Sequence, residues 1–123
     1  MKVTIDLAQD PNFGLVLKGY QEVAMKHLWE SKTGQSSRDV WVAVNDRLGV
    51  EASSRNAISR ASIINFLNAM CGEGILDYTE KTGKGGHRRI YSAALDQGEF
   101  WRLIAKVTKE KMTEASGLQD LFR

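Results

Sequence analysis

The segment from Leu76 to Ala94, LDYTEKTGKGGHRRIYSAA, constrains the fold more than any other part of the chain. Two runs of β-favouring residues flank a glycine-rich turn, a pattern that predicts a β-hairpin. Four basic residues lie at or near this turn, and no acidic residue separates Lys81 from Tyr91. Because burying unpaired cationic groups is very costly, we expect the tip to project into solvent. The hairpin is then either an ordinary solvated element or a basic finger that contacts phosphates.

Three helices are predicted before the hairpin and one after it. The first runs from about Val16 to Glu30, and the second opens at Ser36 with Asp39 in the capping-box position. Ser59 is the expected N-cap of the third helix, and Asp96 that of the fourth. The predicted fold class is therefore mainly α with a small β-hairpin. Three helices followed by a basic hairpin are the layout of a winged helix-turn-helix domain, with the fourth helix available for dimerisation.

Composition limits the class of protein. The chain has 123 residues, a hydrophobic fraction of 42% and a formal charge of +2, values typical of one globular domain. Affinity for nucleic acid would therefore have to come from local charge. No apolar run reaches transmembrane length, no signal-peptide pattern is present, and the single Cys71 fits a reducing compartment, so we expect a cytoplasmic protein. The expected parts are an N-terminal extension (1–15), the winged domain (16–94) and a C-terminal dimerisation region (95–123).

The side of the third helix that lies opposite its apolar stripe is the candidate DNA-contacting surface. Ile64 would suit a thymine methyl group, while Asn65 and Asn68 could each pair with adenine. The predicted contacts on this helix are Ser59, Arg60, Ala61, Ser62, Ile64, Asn65 and Asn68. Those on the hairpin and its flanks are Arg55, Lys81, Lys84, His87, Arg88 and Arg89. The alternative is that all of these are ordinary surface residues.

Four stretches carry more specific motifs, namely YQEVAMKHLWE (20–30), SSRDVWVAV (36–44), SRASIINFLNAMCGEGIL (59–76) and HRRIY (87–91). Together they resemble the penicillinase-repressor family of winged-helix transcriptional regulators. The resemblance implies a recognition helix after the Ser59 cap, a wing that closes at Tyr91, and repression of transcription. The chain has no Asn-Phe bond after the hairpin and no cysteine-rich tail, the features by which branches of that family sense their signals. The resemblance therefore supports DNA binding but does not indicate which signal, if any, controls this chain.

The fourth helix is the expected dimer interface, because regulators of this kind bind pseudo-palindromic sites as two-fold dimers. It has more apolar surface than one side of a small domain needs. The predicted interface residues are Phe100, Trp101, Leu103, Ile104 and Val107. The alternative is that Phe100 and Ile104 complete the core of the monomer while the tail frays.

Catalytic and metal-binding patterns are not evident in the sequence. Two histidines and one cysteine do not make a convincing zinc site, and His27 lies on an apolar helix face, where a hydrogen-bonded structural role is expected. We therefore expect neither an enzyme nor a cofactor. The expected function is a sequence-specific, homodimeric repressor that binds double-stranded DNA and no membrane, with any small-molecule effector unspecified. The alternative is a winged-helix protein–protein interaction module in a transcription or replication assembly.

Overall fold

The computed structural model describes residues 4–83 and 86–122, which form four helices and a small antiparallel sheet. The helices are α1 (Gly19–Glu30), α2 (Ser37–Arg47), α3 (Arg60–Gly72) and α4 (Gln97–Ser116). The strands are β1 (Gln35–Ser36), β2 (Leu76–Gly83) and β3 (Gly86–Ala93). The sheet has the order β1-β3-β2, so the predicted hairpin gains a third strand that the sequence did not indicate. This mixed α/β arrangement is compatible with a winged helix. Within the described ranges, no helix has both the length and the apolar character needed to cross a membrane.

The predicted helix caps are present in the structure. Ser36 Oγ accepts a hydrogen bond from the Asp39 N–H (3.1 Å), and the Asp39 carboxylate accepts one from the Ser36 N–H (2.9 Å). Asp96 caps α4 in the same reciprocal way, and Ser59 caps α3. The first helix differs from the prediction, because α1 begins at Gly19 rather than near Val16. Extended backbone at residue 18 separates it from a short 3₁₀ turn at Phe13–Leu15.

One apolar core joins the helices to the base of the hairpin. It consists of Leu17, Ala24, Met25, Leu28, Val40, Val44, Ile63, Phe66, Leu67, Ile75, Leu76, Tyr91, Phe100 and Ile104. Phe100 is 0% exposed and Ile104 is 5% exposed, so both are covered by the chain itself. The expectation that these two side chains face a second subunit is corrected, since they complete the core of the monomer. The other predicted interface residues, Trp101, Leu103 and Val107, are half-buried.

An aromatic cluster connects the N-terminal turn to α4. The ring centroid of Phe13 lies 5.0 Å from those of Trp29 and Trp101, and 5.9 Å from that of Phe100. The Trp29 indole N–H also donates to the backbone carbonyl of Leu95 (2.9 Å), at the approach to α4. The end of the predicted N-terminal extension therefore packs on the same chain as part of the folded domain.

Candidate nucleic-acid interface

The start of α3 is fixed by Asn45, a buried side chain of α2. Its Nδ2 donates to the backbone carbonyls of Trp41 (3.0 Å) and Ile58 (3.2 Å), and its Oδ1 accepts from the Ile58 N–H (2.8 Å). The Trp41 indole N–H donates to the same Ile58 carbonyl (2.9 Å). The N–H and the carbonyl of Ile58, which precedes the Ser59 N-cap, are thus both hydrogen-bonded to side chains of α2. This role of Asn45 was not predicted from the sequence, in which the one local signal is a polar residue beside the apolar stripe of α2.

The outward side of α3 carries small or uncharged side chains and no carboxylate. Ala61, Asn65 and Asn68 are exposed, as is Arg60 at the first position of the helix. The predicted thymine-contacting residue Ile64 is half-buried rather than fully outward. The other predicted residues are at the N-terminus, where Ser59 Oγ accepts from the Ser62 N–H (3.0 Å) and donates to Ser62 Oγ (2.8 Å). Because α3 has no acidic residue in its first turn, nothing on this helix repels an approaching phosphate.

The register of the hairpin divides its basic residues between two faces. Lys81 lies opposite Arg88, and Glu80 lies opposite Arg89. Since successive side chains of a strand point to opposite faces, Lys81 and Arg88 share one face while Arg89 lies on the other. The three predicted hairpin cations that the structure describes therefore do not form a single cluster. Lys84, the fourth, lies outside the described residues.

Arg89 and Tyr91 connect the hairpin to α3 through Asn68. Asn68 Oδ1 accepts hydrogen bonds from Arg89 Nη1 (3.0 Å) and from the Tyr91 hydroxyl (2.7 Å). The prediction that Asn68 pairs bidentately with adenine is corrected on this ground, because pairing would need the same oxygen as an acceptor. The Arg89 guanidinium also lies over the ring of Tyr78, 4.0 Å from its centroid. Tyr78 was not predicted as a site residue; its register position opposite Tyr91 is the available signal.

Burial favours the protonated form of the Tyr91 hydroxyl. Burial raises the pKa of Tyr91, and the neighbouring Arg89 guanidinium opposes that shift only in part. A protonated hydroxyl can donate to Asn68, as the 2.7 Å distance requires. Burial likewise raises the pKa of the Cys71 thiol on the same side of α3, with Arg89 again opposing.

Two predicted contact residues lie apart from this network. Arg55 is exposed in the loop between α2 and α3, and His87 is exposed next to the first residue of β3. The other histidine, His27, has both ring nitrogens engaged, with Nε2 2.9 Å from Gln35 Oε1 and Nδ1 3.4 Å from Arg47 Nη2. His27 thus has the hydrogen-bonded environment expected for a structural histidine. Within residues 4–83 and 86–122, no three metal-ligating side chains come together.

The arrangement as a whole offers a particular chemistry to a partner. It combines hydrogen-bonding amides on α3, cations on both faces of the hairpin, and one arginine held between the two elements. Such groups suit the binding of an anionic polymer with acceptor-rich edges. Comparison with protein-family models, with curated proteins and with solved structures finds no match to this chain, so its function has to be inferred from its own residues.

Proposed function

We propose that this chain is a winged-helix protein that binds double-stranded DNA in a sequence-specific manner and represses transcription as a homodimer. In this proposal α3 enters the major groove and the β2–β3 hairpin lies on the flanking backbone. The observation that carries the proposal is the link between a carboxylate-free helix face and a basic hairpin, made by Asn68 with Arg89 and Tyr91. This link holds the exposed face of α3 beside the basic hairpin, so that the helix can reach bases while the hairpin lies on the phosphates.

The two elements have different tasks in the proposal. Asn65 and Arg60 are exposed on α3 and carry the side chains that pair with adenine and with guanine or phosphate, respectively. Lys81 and Arg88 are exposed on the hairpin face that points away from Asn68, and they contact phosphates. Base preference should then depend on the exposed side chains of α3, and general affinity on Lys81 and Arg88.

The C-terminal region supports the homodimer. Beyond the last buried residue of α4, four large apolar side chains remain exposed: Met112 (44%), Leu118 (53%), Leu121 (36%) and Phe122 (53%). Exposed apolar side chains at one end of a small domain suit a contact with a second copy. Together with the half-buried Trp101 and Val107, these residues replace Phe100 and Ile104 as the proposed interface.

The test of the proposal is selection from a randomised duplex library, followed by sequencing, at two salt concentrations. We expect an enriched palindrome, and an affinity that falls steeply as salt rises because bound cations displace counterions from the phosphates. Salt-sensitive binding without enrichment would contradict sequence specificity. No binding at low salt would contradict the proposal entirely and favour a protein partner, the alternative function.

Two substitutions separate the two tasks. Asn65→Ala should reduce affinity for the selected sequence about 5- to 100-fold and leave binding to random duplexes nearly unchanged. Lys81→Ala should weaken binding to every duplex alike and lower the salt slope by about one. Lys109→Ala, which removes the same charge from exposed α4 surface, is the matched control. Equal losses on selected and random DNA for both Asn65→Ala and Lys81→Ala would refute the division of tasks.

A further inference from the structure

We infer that Arg89 contacts a guanine base edge and that Asn68 and Tyr78 are the positioning residues that hold it there. This inference rests on the proposed function and refines it, since the sequence pattern placed Asn68 among the base-contacting residues and Arg89 among the phosphate contacts. The structure favours the exchange of these two roles. The reasons are the fixed position of the guanidinium, the acceptor already in use on Asn68, and the contrast with the other hairpin cations.

The Arg89 guanidinium is held from two directions. Its Nη1 donates to Asn68 Oδ1 at 3.0 Å, and its Cζ lies over the Tyr78 ring at 4.0 Å from the centroid. The side chain is half-buried, although it comes from a hairpin that is mostly exposed. An arginine ordered in the free protein loses little further freedom when it binds, which favours contacts that require one orientation.

Asn68 connects this arginine to the core. Tyr91 is 3% exposed, and its hydroxyl donates to the same Asn68 oxygen at 2.7 Å. The oxygen therefore joins a side chain anchored in the core to one at the surface. With both of its hydrogen bonds made inside the protein, Asn68 Oδ1 is a support for Arg89 rather than an acceptor for a base.

The donors that remain on Arg89 match one base. A guanidinium has five N–H groups in a fixed fork, and one nitrogen of Arg89 is already bonded to Asn68. In the major groove, guanine presents two acceptors, O6 and N7, whereas adenine presents a donor next to its single acceptor. A fixed fork of donors beside α3 therefore distinguishes guanine from adenine.

Arg88 and Lys81 lack these restraints. Their side chains are exposed and make no hydrogen bond or ion pair within the part of the chain that the structure describes. A mobile cation suits a phosphate, which needs charge more than a fixed orientation. Arg88 is therefore the natural comparison, because it is the neighbour of Arg89 in sequence and points to the opposite face of the hairpin.

The experiment applies library selection and affinity measurement to the full chain and to single variants. Arg89→Lys keeps the charge but removes the fork, and Arg88→Lys makes the same change on the opposite face. We expect the wild type to enrich a sequence containing guanine at a position where Arg89→Lys shows no preference. On that sequence Arg89→Lys should lose about 10- to 100-fold in affinity, while binding to random duplexes changes by less than about twofold. Arg88→Lys should enrich the wild-type sequence.

A second pair of variants tests the positioning role of Tyr78. Tyr78→Phe retains the ring under the guanidinium and should behave as the wild type. Tyr78→Leu removes the ring and should weaken the guanine preference several-fold without changing random-duplex binding. Circular dichroism shows whether each variant is folded. If Tyr78→Leu does not fold, the result for Arg89→Lys alone tests whether Arg89 contacts guanine.

The outcomes separate this inference from the proposed function. Enrichment of the same guanine by Arg89→Lys would overturn the inference while the proposed function stands. An equal loss on all duplexes for Arg89→Lys would also overturn it, since that loss identifies a phosphate contact. A wild type that enriches no sequence would overturn both.

Discussion

Replacing Asn45 by alanine tests whether one buried side chain holds the start of α3. The substitution removes three hydrogen bonds, two donated by Nδ2 and one accepted by Oδ1. The Ile58 carbonyl keeps its bond from the Trp41 indole, whereas the Ile58 N–H loses its partner. The loss of stability should therefore come mainly from the unpaired Ile58 N–H and from the cavity that the missing amide leaves.

The size of the effect follows from these losses. A buried donor left without a partner costs about 1–3 kcal/mol, and the vacated space adds to this, so we expect a loss of about 2–4 kcal/mol in the free energy of unfolding. For 123 residues, the unfolding entropy is about 0.26 kcal/mol per kelvin, so a loss of about 3 kcal/mol lowers the melting temperature by about 12 °C.

Urea unfolding followed by circular dichroism measures this loss directly. Asp46→Ala, at the next and exposed position of α2, is the matched control and should change the free energy of unfolding by less than about 0.5 kcal/mol. A similar small change for Asn45→Ala would refute the argument, because it would show that the bonds to Ile58 do not hold the loop. Asn45→Ala should also reduce sequence-specific DNA binding, since Ile58 directly precedes the cap of the proposed recognition helix.

Two further substitutions test the packing and protonation around the sheet. Gly34→Ala should lower the free energy of unfolding by about 1–3 kcal/mol, because the new Cβ would overlap Ile90 Cγ2. The control Gly19→Ala places its Cβ in open space and should be neutral or slightly stabilising. Equal stabilities of the two variants in urea would contradict the close contact at Gly34. Tyr91→Phe should cost about 0.5–1.5 kcal/mol at neutral pH through the lost hydrogen bond. Burial raises the pKa of Tyr91 above its ordinary value of 10.0, so the folded chain holds this proton more tightly than the unfolded chain. The resulting stabilisation is complete below about pH 10 and is lost as pH rises further. The free energy of unfolding of Tyr91→Phe should therefore decline less steeply from pH 9 to 11 than that of the wild type. The same slope for both proteins would contradict the raised pKa of Tyr91.

The local signals in the sequence were sufficient to predict the helices and the hairpin. Ser36, Ser59 and Asp96 each cap the helix that the sequence assigned to them. Such caps depend on residues three positions apart, which a sequence displays directly. Strand β1 escaped prediction because two residues have no periodicity, and its pairing with β3 depends on the contact between Gly34 and Ile90.

The periodicity of apolar residues predicts that one face of a helix is buried, but it does not show which part of the protein buries that face. The spacing of Phe100 and Ile104 identifies an apolar side of α4, but it fits a subunit interface and a monomer core equally well. The role of Asn68 also depends on distance in space, because its partners Arg89 and Tyr91 belong to another element. A helical projection places Asn68 outward, and only the position of β3 shows that its oxygen is already in use.

The contact between Phe13 and Trp101 also bears on how the chain folds. It joins the 3₁₀ turn at Phe13–Leu15 to the last helix, with α1, α2, α3 and the sheet between them. Contacts between residues so distant in sequence raise the contact order, and they form late because the intervening loop must close first. During synthesis on a ribosome, Phe13 emerges early and lacks its partners on α4 until almost the whole domain has been made. The aromatic cluster should therefore be one of the last parts of this domain to assemble.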